Sequence, residues 1–174
     1  APVPVVAANR WQARPVVADD LRMKVESDAV RVIVATDGEL VTREIHASPR
    51  RADGRWLPDP AQDLALLLVL NRYRPAPPAL AFVRGFGLAR GALASSVAHD
   101  SHNLVAVGAD LDDLQLAVNA LVAAGGGIAM ADGGRVERLA LPVAGLMSDA
   151  DGDSVARRYA ELDALARGLG GRLR

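Results

Sequence analysis

The stretch "HDSHN" holds two of the chain's three histidines, His99 and His102, within five residues. A carboxylate, a hydroxyl and an amide accompany them, from Asp100, Ser101 and Asn103. Imidazoles bind metals and transfer protons near neutral pH. The pattern therefore allows three interpretations: a metal site, a catalytic relay, or a polar turn between two strands.

The metal interpretation is limited by the number of available ligands. His99 and His102 can lie on one side of a turn, but a catalytic zinc site takes three protein ligands and a binuclear site takes more. The third histidine, His46, lies on a predicted strand with Glu44 on the same face. Asp100 completes a site only if the loop folds back. The residues therefore favour no metal in this chain, although a mononuclear site at the two histidines stays open.

A Ser-His-Asp relay is conceivable because Ser95, Ser96 and Ser101 lie near the histidines. However, no G-x-S-x-G element is present, and a triad is defined by geometry rather than by proximity in sequence. A polar turn whose side chains bond one another and the backbone is the favoured interpretation from the residues alone.

Two other segments have the composition of ligand loops. "RGFGLARG" (84–91) lacks the G-K-[ST] ending of a phosphate loop, and "SDADGD" (148–153) lacks the terminal Glu of a calcium-binding EF-hand. A tight turn and a helix N-terminus explain them better.

Short strands surround HDSHN in the predicted fold. The first third alternates apolar and polar residues and carries two turn signals, Asp37-Gly38 and Asp53-Gly54, as expected of an antiparallel meander. A turn at 59–63 leads to a buried strand from about Leu64 to Arg72. Two more strands, within 92–98 and 104–108, flank HDSHN.

Two amphipathic helices follow. The first begins after Asp110, an expected N-cap, and stops at Gly125. The second covers about 153–169, and its predicted inner face comprises Val155, Tyr159, Leu162, Ala166 and Leu169. This order predicts an α+β fold, with an antiparallel or mixed sheet and both helices packed on one face of it.

Composition excludes several classes of protein. A length of 174 residues fits one domain, and a net charge of −1 gives no reason to expect nucleic acid as a partner. The longest apolar run, Leu64 to Leu70, is too short to span a membrane. The absence of cysteine fits a cytoplasmic protein. The sequence leaves the oligomeric state open, a homo-oligomer included.

Four segments, taken in order, carry a family resemblance: "VRVIVATDGELVTRE", "GFGLARGALASSVAHDSHNLVAVGAD", "DLQLAVNALVAAGGGIAMADGGRV" and "LALPVAGLMSD". Together they resemble the C-terminal domain of bacterial adenine deaminases of the amidohydrolase superfamily. The resemblance covers about Leu21 to Gly168, and its most specific pieces are "GFGL-RGA-ASSVAHDSHN" and "LP-AGLMS". It implies hydrolysis of adenine to hypoxanthine and ammonia, as in purine salvage, by a hydroxide activated on a binuclear Mn or Fe centre.

In that family the metals lie in a (β/α)₈ barrel, which needs about 250 residues and is absent from this chain. The resemblance therefore implies that residues 1–19 link to an upstream barrel and that residues 20–174 form an accessory domain. That domain would pack on the barrel and shape the active site or a subunit interface, and the chain alone would be inactive. The candidate contacts with substrate or barrel are His99, Asp100, Ser101, His102, Asn103 and Arg72. The alternative is a free-standing module that binds a nucleobase or a protein without catalysis.

One segment departs from the resemblance. Where "ERHH" is expected, this sequence has "NRYR" (71–74), followed by the proline-rich "PAPPA". The role of that loop in the family is therefore not carried over to this chain.

Overall fold

The computed structural model describes residues 9 to 99 and 101 to 172. The strands are β1 (Met23–Lys24), β2 (Val30–Val34), β3 (Arg43–Ala47), β4 (Arg50–Ala52), β5 (Arg55–Leu57), β6 (Ala65–Leu70), β7 (Ala79–Arg84), β8 (Ala92–Ser95), β9 (Leu104–Gly108), β10 (Gly127–Asp132) and β11 (Arg135–Ala140). The helices are α1 (Leu111–Ala124) and α2 (Gly152–Gly168), and short 3₁₀ helices cover Ala18–Leu21 and Pro60–Gln62.

Eight of these strands form one sheet in the order β11-β10-β8-β9-β6-β7-β2-β3, and β1-β5-β4 form a small second sheet. The β2–β7 pair is parallel, while the other neighbouring pairs of both sheets are antiparallel. The predicted α+β class with a mixed sheet is confirmed. The turn at 59–63 and the buried strand after it are confirmed too, with that strand ending at Leu70.

The large sheet has a covered face and a half-open face, because side chains alternate across each strand. On the covered face the strands pack against α1 and against Trp56 of the small sheet, forming the main core. The strand residues of the covered face include Leu66, Leu68, Phe82, Leu104 and Ala129. Those of the half-open face include Leu67, Val69, Ala81, Leu93 and Val105, which alternate with them.

The prediction that both helices pack on one face is wrong. Helix α1 packs on Ala129 and Ala131 of β10, whereas Leu162 of α2 packs in a cluster with Ile128 and Met130 of the same strand. Alternation puts these two pairs on opposite faces of the sheet. The covered face is already filled by α1 and the small sheet, so α2 buries its apolar stripe on the other side.

The predicted inner face of α2 is also only partly buried. Leu162 is 1% exposed and Leu169, just after the helix, is 3% exposed, but Tyr159 is 56% exposed. Helix α2 thus covers a narrow strip at the β10–β11 edge of the half-open face.

The segment before residue 20 packs on the domain from Asn9 onward. Val16 is buried in the main core, and its backbone N–H and C=O both bond the Asn119 side chain of α1, at 2.8 Å each. Arg14 forms a two-pronged ion pair with Asp20, and these hydrogen bonds lower the pKa of that carboxyl. Residues 1–8 of the predicted link lie outside the described residues, and a connection to an upstream barrel stays a prediction.

Asp113 of α1 provides a stability test. Its buried carboxylate accepts the backbone N–H groups of Gly133 and Gly134 at 2.9 Å each, which fixes the β10–β11 turn to the helix. We expect Asp113→Ala to lower the free energy of unfolding by about 1–3 kcal/mol in urea titrations. Asp112→Ala, an exposed position in the same helical turn, is the control. Equal losses in both variants would contradict this role.

Candidate functional site

The HDSHN segment joins β8 to β9 at the end of the sheet where β6 finishes. The β6–β9 register pairs Leu70 with Leu104. The segment after Leu70 and the segment before Leu104 therefore leave the sheet at the same end, and Tyr73 Oη contacts the carbonyl of Ser101 there. Two separate parts of the predicted site, the "NRYR" segment and HDSHN, therefore meet at this end of the sheet.

Arg72 is the central residue of this end, and it is 5% exposed. Its Nη1 donates to the carbonyl of Ala144 at 2.5 Å, and its Nη2 donates to Tyr73 Oη at 3.3 Å. Its Cζ lies 5.6 Å from the ring centroid of Trp11 and 4.9 Å from that of Tyr73. Both distances allow cation–π attraction, so two rings and one carbonyl hold the buried guanidinium.

The 142–148 loop, "PVAGLMS", packs between Arg72 and Ser96. Ser96 is fully buried; its Oγ donates to the carbonyl of Gly145 at 2.6 Å and accepts the N–H of Gly127 at 2.7 Å. Gly145 has a φ of +69°, and a Cβ there would overlap Nη1 of Arg72. Glycine is therefore required at this position by both its backbone angle and the close approach of Arg72.

The described residues of HDSHN, His99 and 101–103, form a tight polar turn. The His102 N–H donates to the carbonyl of Ala98 at 2.7 Å, and His102 has a left-handed φ of 49°. Tyr73 Oη donates to the carbonyl of Ser101 at 3.3 Å, which ties the turn to the Arg72 segment. His99 is exposed, and Asp100 lies outside the described residues. The structure thus brings Arg72, Ser101, His102 and Asn103 to one place, and His99 lies on the outer side of the turn.

This end of the sheet concentrates buried polar atoms that make no hydrogen bond. Within the described part of the chain, six buried side-chain nitrogen or oxygen atoms have no partner. Five of them lie here: Asn9 Oδ1, Trp11 Nε1, Arg72 Nε, His102 Nδ1 and Asn103 Oδ1. Such atoms are rare in folded proteins because each one costs desolvation energy. This concentration distinguishes the Arg72 end of the sheet from the rest of the described structure.

Several members of the site were not predicted as site residues, Trp11, Ser96 and Gly145 among them. Trp11 fell in the predicted link, Ser96 was considered only as a nucleophile, and Gly145 only as part of a loop. The "LP-AGLMS" piece of the resemblance was a usable signal for Gly145. Nothing in the local sequence indicated that Trp11 lies against Arg72.

Across residues 9–99 and 101–172, no group of three or more His, Asp or Glu side chains could hold a metal ion.

None of the helices in those residues is long and apolar enough to cross a membrane.

A glycine substitution tests the contact between Arg72 and the 142–148 loop. We expect Gly145→Ala to displace Arg72 or the loop, and to lower the free energy of unfolding by about 2–4 kcal/mol, from φ strain plus overpacking. Gly38→Ala is the matched control, because Gly38 has a similar φ of +76° with no atom within 4 Å of its added Cβ. Urea titration followed by tryptophan fluorescence measures both. A loss no larger than that of the control would contradict the packing described.

Comparison with known proteins shows which family this chain resembles over most of its length. The family model described as "Adenine deaminase C-terminal domain" matches residues 39–174. The adenine deaminase of Salinibacter ruber is 54% identical over 156 residues, covering 88% of this chain and 28% of the relative. Those of Parabacteroides distasonis and Methanosarcina barkeri are 41% and 42% identical, covering 91% and 94% of this chain and 29% and 31% of the relatives. The chain thus spans less than a third of the length of these relatives, and it belongs to the adenine deaminase C-terminal domain family.

Proposed function

We propose that this chain serves as the accessory C-terminal part of an adenine deaminase, which hydrolyses adenine to hypoxanthine and ammonia. In this proposal the end of the sheet around Arg72 contacts the catalytic part of the enzyme and shapes its active site. One observation carries the proposal: the unpaired buried polar atoms are concentrated where HDSHN and the 142–148 loop meet Arg72.

The chemistry of these atoms fits an interface. Arg72 Nε and Trp11 Nε1 are donors, whereas the Oδ1 atoms of Asn9 and Asn103 are acceptors. A mixed set of this kind suits a polypeptide backbone with polar side chains, or the edge of a purine. The positive charge of Arg72 adds a preference for an acidic partner group near this end of the sheet.

The proposal also assigns the hydrolytic step to a different part of the enzyme. Removing the amino group from adenine needs a water activated near neutral pH, which a bound metal ion supplies. Since the described residues offer no metal-binding group, we place a binuclear Mn or Fe centre in the upstream part of the polypeptide. We also propose that the whole protein is cytoplasmic. This chain would exclude water and orient substrate or catalytic groups.

The isolated chain should not turn over adenine. We expect no hypoxanthine above background when the purified chain is incubated with adenine and Mn²⁺ or Fe²⁺, because the described residues offer no group that would hold a metal ion to activate water. The same chain joined to the upstream two thirds of the polypeptide should deaminate adenine. Robust turnover by the isolated chain would refute the proposed division of roles.

Arg72 should affect catalysis when the whole polypeptide is assayed. We expect Arg72→Ala to lower kcat/KM for adenine by at least tenfold, about 1.4 kcal/mol in the transition state, while leaving the metal content unchanged. Arg74→Ala is the matched control, since Arg74 is an exposed arginine two residues away.

Arg72→Lys separates a positioning role from a folding role, because lysine keeps the charge but loses the planar fork. A lysine variant that unfolds at the normal urea concentration and still loses activity supports positioning. Wild-type kcat/KM in all three variants would refute a role for this end of the sheet.

Calorimetry addresses the non-catalytic alternative. Binding of adenine or hypoxanthine by the isolated chain, lost in Arg72→Ala, would favour a free-standing nucleobase module. The absence of binding at millimolar ligand would leave the accessory role as the better account.

A further inference from the structure

The half-open face of the large sheet is apolar and only partly covered. Helix α2 packs at its β10–β11 edge through Leu162. Leu169 packs on Ala65, Val83 and Val107 at the end far from Arg72. Between these contacts, five apolar strand residues are partly exposed: Leu67, Val69, Ala81, Leu93 and Val105. Ile33 (37% exposed) and Val97 (46% exposed) extend this surface at opposite ends.

The sequences of the central strands indicate that this face is buried in the working protein. Strand β6 reads "ALLLVL" and β9 reads "LVAVG", so both faces of each are apolar. The outer strand β3 reads "REIHA", and β11 reads "RVERLA", with polar residues interspersed as expected beside water. Strands buried on both faces lack such alternation. The central strands thus match a sheet covered on both sides.

Charged residues border the apolar surface rather than interrupt it. Arg31 and Glu44 on β2 and β3 form an ion pair at 3.7 Å, with exposed His46 nearby on the same face. On the strands between them and α2, the described side chains of the half-open face carry no charge. An apolar centre with a polar rim is the usual arrangement of a protein–protein interface.

We infer that the half-open face is the docking surface for the upstream part of the same polypeptide, which rests on the proposed accessory role. The chain spans less than a third of the length of its relatives, so a covalently linked partner is present at a high effective concentration. The path of the chain supports the same partner. Asn9 lies against Gly125 and Pro142, at the Arg72 end of the sheet.

This geometry connects the docking surface to the candidate site. Val97 is exposed and lies two residues after Ser95, the last residue of β8, and two residues before His99. A body seated on the half-open face therefore reaches HDSHN at its rim. The apolar surface supplies the affinity, and the polar end sets the orientation.

Cysteine labelling tests the inference cleanly, because this chain contains no cysteine. Val97→Cys and Ile33→Cys place a thiol at each end of the half-open face. Leu40→Cys, at a fully exposed position in the β2–β3 loop, is the control. Labelling rates with a charged maleimide are measured in the isolated chain and in the full polypeptide, and each modified peptide is identified by mass spectrometry.

We expect both face positions to react at least tenfold more slowly in the full polypeptide, and the control to change less than twofold. Unchanged rates at Val97→Cys and Ile33→Cys would overturn the inference. Protection that already occurs in the isolated chain, and increases with its concentration, would assign the face to a second copy and would overturn it as well.

Deaminase activity of the same full polypeptide separates the two proposals. If the full polypeptide deaminates adenine but the cysteines at positions 97 and 33 are labelled at unchanged rates, docking through this face is refuted and the proposed function stands. If the two cysteines are protected but adenine is not deaminated, docking is supported and the proposed function is refuted.

Discussion

The central strands carry apolar side chains on both faces, and this constraint governs the arrangement of the whole molecule. Each face must be removed from water, because exposed apolar area is costly at roughly 25 cal/mol per Å². Helix α1 and the small sheet cover one face, where Leu68, Phe82 and Leu104 are fully buried. Helix α2 covers only a strip of the other. The requirement is met in full on one face and in part on the other, and the inferred docking surface is the part that stays uncovered.

A second constraint acts at the end of the sheet. A guanidinium buried as deeply as that of Arg72 is stable only with partners, since removing a charge from water is expensive. Two aromatic rings and the Ala144 carbonyl supply part of that stabilisation. The loops around it are held by Ser96 and Gly145 with little room for change. In the proposed function, this polar end beside the apolar face orients groups at the active site of the upstream part.

Local signals predicted the parts of the fold that local physics decides. Asp110 caps α1 by accepting two backbone N–H groups, and Gly125 ends the helix in a left-handed conformation, as expected from sequence. The Asp53-Gly54 turn forms the β4–β5 hairpin with both φ values positive. The side of the sheet chosen by α2 could not be predicted. Ile128 and Ala129 are both apolar, and the choice depended on which face distant elements had already filled.

The candidate site, like the fold, has some features that the sequence indicated and others that only the tertiary structure decided. The sequence by itself indicated that two histidines, a serine and an asparagine lie in one turn, that three histidines favour no metal in this chain, and that the ordered segments resemble one family. Tertiary structure decided that Arg72, Trp11 and Gly145 join that turn, because strand register and a buried hydrogen bond bring together residues up to 134 positions apart. It also decided which polar atoms are left without partners, since an atom's burial depends on every element packed around it.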